Sequence, residues 1–148
     1  MSGIVCAIRG GPASRPTIVK AIALAKETEL QLYFLYVVNL DFLSHTSSSR
    51  IHTISREMDQ MGEFILLSAQ EMALAQEVTA EGVVRHGAVQ DEIISLGKEI
   101  EANFVVLGLP RGQREEDVFT REQLSNFIQR IEDESGAKVA LVEVPEDE

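Results

Sequence analysis

The sequence predicts an α/β protein in which a parallel sheet is covered by helices. Short apolar runs alternate with longer amphipathic segments, as in repeated strand–helix units. The run Gln31–Val38 is almost continuously apolar and rich in aromatic and β-branched residues, which is typical of a strand covered on both faces. The 148 residues fit one domain, so we expect a single unit over residues 1–148.

Turn residues and helix-start residues divide the chain into elements. Arg9-Gly10-Gly11-Pro12 follows the first apolar run, and Ser14 with Pro16 marks a helix start. Residues 39–49 end in polar residues and favour a loop. The predicted order is strand Ile4–Ile8, a helix from Ser14, strand Gln31–Val38, helix Ile51–Ala75, strand Thr79–Arg85, helix Val89–Ile100, strand Phe104–Leu107, helix Arg121–Ser135 and strand Val139–Val144.

The long helix over Ile51–Ala75 carries large apolar residues at spacings of three and four. Its stripe consists of Met58, Met61, Phe64, Ile65, Ala69 and Met72. We interpret this stripe as the face that packs on the core. The alternative is a methionine-lined binding groove, because methionine adapts to irregular surfaces.

Composition and charge exclude several classes of protein. The net charge of −11 repels phosphate backbones and anionic lipids, so we expect neither nucleic acid nor a membrane as partner. No stretch approaches the roughly 20 apolar residues of a membrane helix. The first residues do not resemble a secretion signal, and a cytoplasmic protein is expected. Cys6 is the only cysteine and is predicted to be a small core residue.

Catalytic and metal-binding motifs are weak in this sequence. His45, His52 and His86 are scattered, without the i, i+4 pairing of a helical metal site, so no metal is predicted. No Gly-x-Ser-x-Gly motif supports hydrolase chemistry. In an open parallel sheet, ligands bind beyond the carboxyl ends of the strands. The loops to consider therefore start at Arg9, Val38, His86 and Gly108.

Read together, these loops resemble those of the universal stress protein family. The most specific stretches are Gly82-Val83-Val84-Arg85-His86-Gly87, Asp91-Glu92-Ile93-Ile94 and Ala102-Asn103-Phe104-Val105-Val106-Leu107-Gly108, and Tyr36-Val37-Val38 ends an aromatic-rich second strand. The resemblance covers nearly the whole chain. It implies a five-stranded parallel sheet in the order 3-2-1-4-5 with helices on both faces, of the adenine-nucleotide alpha-hydrolase type.

The charged loop from Gly108 to Gln123 departs from the family's phosphate loop. Nucleotide-binding members resemble one another in having two residues between two glycines, then nine residues, then glycine and a hydroxyl residue. Here three residues separate Gly108 from Gly112, and one of them, Pro110, has no N–H to donate. Nine residues after Gly112 stand Glu122 and Gln123 instead of glycine and a hydroxyl residue.

Carboxylates also crowd this loop. A carboxylate about 4 Å from a phosphate costs on the order of 4 kcal/mol at an effective dielectric near 20, and Glu115, Glu116 and Asp117 lie between the expected contacts. One interpretation is a phosphate loop that has lost phosphate binding. The alternative is a solvated connector in which Thr120 and Gln123 form a capping box for the last helix.

Three functional hypotheses follow. The first is a non-catalytic regulatory domain with weakened or lost ATP binding and no expected cofactor, which acts through association with other proteins. The resemblance implies a homodimer through the apolar last strand, Lys138 to Val144, since an exposed edge strand must be covered or paired.

The second hypothesis is an altered nucleotide site that holds ATP or AMP. Nucleotide-binding relatives carry an acidic residue at the end of the first strand, whereas this chain has Arg9 there. Arginine can supply bidentate hydrogen-bond donors to a phosphate group. The predicted crevice consists of Arg9, Gly10, Gly11, Val38, Gly108, Arg111 and Gly112. The third hypothesis, an enzyme acting on a small phosphorylated metabolite, would need His86 as its base.

Overall fold

Within residues 3–9, 14–40, 48–108 and 121–142, which the computed structural model describes, five strands alternate with four helices. The elements are β1 (Gly3–Ala7), α1 (Arg15–Thr28), β2 (Gln31–Val38), α2 (Ser48–Ala75), β3 (Ala80–His86), α3 (Val89–Ile100), β4 (Ala102–Gly108), α4 (Arg121–Ser135) and β5 (Lys138–Val142). The predicted alternation of strands and helices is therefore confirmed.

All described strands form one parallel sheet in the order β3-β2-β1-β4-β5. β1 lies at its centre, with Cys6 opposite Phe34 of β2 on one side and Val106 of β4 on the other. The sheet order implied by the family resemblance is thus confirmed. The two edges are β3 and β5.

The helices cover the sheet in pairs. α1 and α2 pack on one face around a core that includes Ile4, Phe34 and Val106, and α3 and α4 pack on the other around Val5, Leu35 and Val105. Neighbouring residues of β1 thus enter opposite cores, as the alternation of side chains along a strand requires. Burial on both faces explains the almost unbroken apolar run of β2.

Several predicted boundaries are corrected by the structure. α2 begins at Ser48 rather than Ile51, and β4 covers Ala102–Gly108 rather than Phe104–Leu107. β4 is longer than its apolar run because it lies between two partners: Ala102 pairs with Gly3 of β1, and Gly108 pairs with Val142 of β5. The predicted bounds of β1 and β3 are each shifted by one residue, to Gly3–Ala7 and Ala80–His86. β5 begins at Lys138 rather than Val139, and its predicted end, Val144, lies outside the described residues.

The predicted core stripe of α2 is wrong at two of its six members. Met61 is 56% exposed and Phe64 is 69% exposed, whereas Ala69 is fully buried. Ile65 and Met72 are partly buried against the core, as predicted. The face of α2 that contacts the sheet most closely is instead formed by small residues and one leucine, namely Gly62, Leu66, Ala69 and Ala73.

A tyrosine on β2 explains why glycine stands at position 62 of α2. A Cβ atom added at Gly62 would lie 2.5 Å from Cδ2 of the Tyr36 ring. The ring fills the space that a larger residue at position 62 would need. Choosing core residues by size therefore placed Met61 and Phe64 on the wrong face of α2 and missed Gly62, Leu66 and Ala73.

Candidate functional site

The winding direction of the sheet reverses between β1 and β4. The helices that follow β1 and β2 lie on one face, and those that follow β3 and β4 lie on the other. In open α/β sheets the ligand-binding crevice lies at such a reversal, beyond the carboxyl ends of the two strands, which here are β1 and β4. This crevice is the candidate functional site.

Arg9 and Gly108 lie on the two sides of this crevice. Because Cys6 is paired with Val106, Gly108 stands level with Ile8, one residue before Arg9. The Arg9 side chain is exposed. Its backbone N–H donates a hydrogen bond to Oγ of Ser14 at 3.3 Å, which connects the end of β1 to the start of α1.

Ser14 occupies the N-cap position of α1, as the sequence predicted, but its side chain makes no capping hydrogen bond to the helix. Pro16 stands in the first turn, where a missing N–H is tolerated. The Ser14 hydroxyl is instead turned toward the Arg9 backbone and is buried. The serine therefore fixes the geometry of the crevice wall.

Val38 belongs to the floor beside the crevice and not to its open surface. Its side chain is 1% exposed, and its carbonyl accepts a hydrogen bond from the Gly87 N–H at 3.0 Å. Val38 ends β2, the neighbour of β1 on the side away from β4. The remaining predicted crevice residues, Gly10, Gly11, Arg111 and Gly112, lie outside the described residues.

The start of α4 carries an acidic residue in its first turn, Glu122. This is the position at which the phosphate-loop pattern of the family has glycine. The Glu122 side chain is exposed. A helix N-terminus attracts anions, and a carboxylate in the first turn interacts favourably with the same field that a phosphate would use. The predicted capping box depends on Thr120, which lies outside the described residues.

His86, the candidate base of the enzyme hypothesis, lies apart from the crevice. It ends β3, and β2 and β1 separate it from β4, a distance of about 14 Å at normal strand spacing. Its Nε2 atom lies 2.7 Å from Oδ1 of Asp59 on α2. This pair could not be predicted from the sequence, because its members are 27 positions apart in the chain.

A second concavity lies between α3 and α4. This open groove of about 490 Å³ is lined by Asp91, Ile94, Ser95, Lys98, Glu99, Arg130 and Glu134. Hydrogen bonds to Asp91 at 2.7 Å and to Glu134 at 3.0 Å raise the pKa of Arg130. Because these carboxylates already engage Arg130, the groove offers little uncompensated charge of either sign.

The described residues contain no group of three or more histidine, cysteine or acidic residues that could hold a metal ion. In the same part of the chain, none of the helices has the length and apolar character needed to cross a membrane.

Comparison with known proteins agrees with this architecture. The model of the Universal stress protein family matches residues 1–144. This chain belongs to the universal stress protein family. No curated protein matches it in sequence.

Solved universal stress proteins share the fold at low sequence identity. UspA from Lactobacillus plantarum is 15% identical with a TM-score of 0.73, covering 95% of this chain and 97% of that one. The Archaeoglobus fulgidus protein in complex with dAMP is 12% identical with a TM-score of 0.62, covering 96% and 98%. A universal stress protein in complex with cAMP is 18% identical with a TM-score of 0.63, covering 96% of both chains. At these identities the likeness establishes the fold of this universal stress protein.

Proposed function

We propose that this universal stress protein is a non-catalytic regulatory domain in which ATP binding is weakened or lost. The observation that carries the proposal is Glu122 in the first turn of α4. Its carboxylate competes with a phosphate group for the N-terminal field of the helix and repels it. Gln123, which follows it, has no hydroxyl group to donate to a phosphate.

The loop before α4 supports the same proposal at the level of sequence. Pro110 removes a backbone donor, and the extra residue between Gly108 and Gly112 changes the spacing of the amides that would surround a phosphate. At the other side of the crevice, Arg9 stands where nucleotide-binding relatives have an acidic residue. The residues expected to contact a nucleotide therefore differ from those of nucleotide-binding relatives on both sides of the crevice.

The second candidate function is an altered nucleotide site. It is favoured by the relatives solved with cAMP and dAMP and by the arginines of this chain, Arg9 and Arg111. Guanidinium groups can replace backbone amides as phosphate donors. In this case the ligand would be ATP, AMP or a related adenine nucleotide, bound between β1 and β4.

We further propose that the protein acts as a homodimer through β5. This strand is an edge of the sheet, and Leu141 within it is 40% exposed. An apolar edge with unpaired backbone groups is stabilised when a second copy covers it. The opposite edge, β3, carries Glu81, Arg85 and His86, and charged side chains discourage edge pairing.

The nucleotide proposal is tested by melting temperature with ATP and magnesium at millimolar concentration. The natural chain should show no rise, because a ligand stabilises the folded state only when its concentration exceeds its Kd. A variant with Glu122→Gly and Gln123→Ser restores the family pattern at α4 and should melt higher with ATP than without it. Glu132→Gly with Asp133→Ser, near the other end of α4, is the control and should show no ATP effect. A clear rise for the natural chain would favour the altered site.

A further inference from the structure

The outer side of α2 carries four apolar residues that contribute nothing to the cores. Met61, Phe64, Leu67 and Leu74 are 56%, 69%, 53% and 65% exposed, and we call them the α2 outer stripe. Their spacing of three, three and seven residues aligns them along one side of the helix. Isolated exposed apolar residues are ordinary, but an aligned set of this size indicates an interaction site.

The outer stripe points away from the sheet. Successive residues of a helix turn by about 100°, which places Phe64 about 160° from the buried Leu66, and Leu67 about 160° from the buried Ala69. Fold stability therefore does not explain these large side chains, because polar residues there would keep the core intact. The stripe also lies far from the proposed dimer edge, since α2 packs on β2 and β3 and β5 is at the other end of the sheet.

Carboxylates surround the outer stripe. Glu57, Glu63, Glu71 and Glu77 are exposed on and just after α2, and the chain has no lysine or arginine from residue 57 to residue 84. Within the described part of the chain, no lysine or arginine forms an ion pair with these four carboxylates. Arg56 lies on α2 just before this segment. From Met61 to Leu74 the surface therefore combines an apolar centre with carboxylates that no described lysine or arginine pairs with.

We propose that the α2 outer stripe binds a basic amphipathic helix of a partner protein. Such a helix would place its apolar side on Phe64 and Leu67 and its lysines or arginines beside the flanking carboxylates. From Met61 to Leu74 the stripe is about 20 Å long, which matches three to four turns of a partner helix. Ridges of side chains at three- and four-residue spacing allow close helix–helix packing.

Charge favours a basic helix over two other possible occupants of the α2 outer stripe. An anionic membrane surface would be repelled by the carboxylates that border the stripe. A second copy of the same face would bring like charges together, in a protein whose net charge is −11. A basic helix is attracted by the same border. It is therefore the occupant that the observations favour.

The proposal is tested with a fluorescent 18-residue peptide of leucine and lysine arranged to give one apolar helical face. Its binding to the full chain is followed by anisotropy at low and at physiological salt. Phe64→Ser with Leu67→Ser should raise the Kd at least tenfold. Val19→Ser is the matched control, because Val19 is an exposed apolar residue on α1, and it should leave the Kd unchanged.

The charged border is tested separately. Glu63→Gln with Glu71→Gln should raise the Kd several-fold and reduce its salt dependence. The same charge change at Glu27 on α1 and at Glu29, its C-cap residue, should have a smaller effect. A peptide of identical composition without an apolar face should bind more weakly than the amphipathic one.

Four results would overturn the proposal. The first is that the peptide does not bind at micromolar protein, and the second is that the Val19→Ser control loses as much binding as Phe64→Ser with Leu67→Ser. The third is that the protein binds phosphatidylserine vesicles and that Phe64→Ser with Leu67→Ser abolishes this binding. The fourth is that the protein forms a dimer and that the same double variant dissociates it. The last two would assign the stripe to a membrane or to a second copy. The natural chain's nucleotide affinity has no bearing on any of these results.

Discussion

Gly62 is the residue on which the position of α2 depends most directly. Gly62→Ala would place its Cβ 2.5 Å from the Tyr36 ring, so the ring or the helix must move. Overpacking of this kind typically costs about 1–3 kcal/mol, while alanine gains about 1 kcal/mol of helix propensity. We expect urea unfolding to show a net loss of about 1 kcal/mol.

The control for this prediction is the same change made together with Tyr36→Ala. Without the ring, Gly62→Ala should stabilise the protein by its helix propensity alone. Equal effects with and without the ring would show that Tyr36 does not determine where α2 sits.

Cys6 is a buried thiol whose ionisation should affect stability only at high pH. It is fully buried in β1, and its Sγ lies 3.9 Å from the Thr17 carbonyl oxygen. Burial raises the pKa of the Cys6 thiol well above its usual range. The unfolded chain therefore releases this proton first as pH rises, and the stabilising contribution of the protonated thiol is complete below about pH 8.5 and falls above it.

Comparison with Cys6→Ala isolates this contribution from those of other groups. Above pH 8.5 the difference in free energy of unfolding between the natural chain and Cys6→Ala should shrink by about 1.4 kcal/mol per pH unit. Urea unfolding at several pH values measures it. A constant difference up to pH 10 would mean that the thiol ionises as easily in the folded state as in the unfolded state.

At the scale of secondary-structure elements, the predicted dimer forms through β5. Leu141→Lys should raise the dimer Kd at least tenfold, since it places a charge in an apolar edge strand. Light scattering after size-exclusion chromatography measures the mass, and Val19→Lys on α1 is the control. A natural chain that is monomeric at micromolar concentration, or a Leu141→Lys variant that remains dimeric, would contradict the prediction.

Elements with strong local patterns were predictable from sequence. The bounds of β2, α3 and α4 agree with the structure, because an apolar run or an amphipathic period defines each of them. The extension of β4 was not predictable, since it depends on partners far away in sequence. The buried face of α2 was predicted only in part: Met61 and Phe64 are exposed, and the helix pattern alone holds no information about the Tyr36 ring that packs against Gly62.

For the whole molecule, the family resemblance supplied the strand order that local patterns could not. The structure confirms the order β3-β2-β1-β4-β5, which places the reversal of the sheet between β1 and β4. The sequence also indicated Arg9, Val38 and Gly108 as residues at the ends of strands. It did not reveal that Val38 is covered, that Ser14 contacts the Arg9 backbone, or that Asp59 contacts His86, because each depends on tertiary packing.

The central proposal is that ATP binding is weakened or lost in this universal stress protein. Titration calorimetry of the full chain with ATP and magnesium tests it most directly, with the Archaeoglobus fulgidus protein and dAMP as the positive control. We predict no saturable heat for the natural chain up to millimolar ATP. Stoichiometric binding with a micromolar Kd would contradict the account.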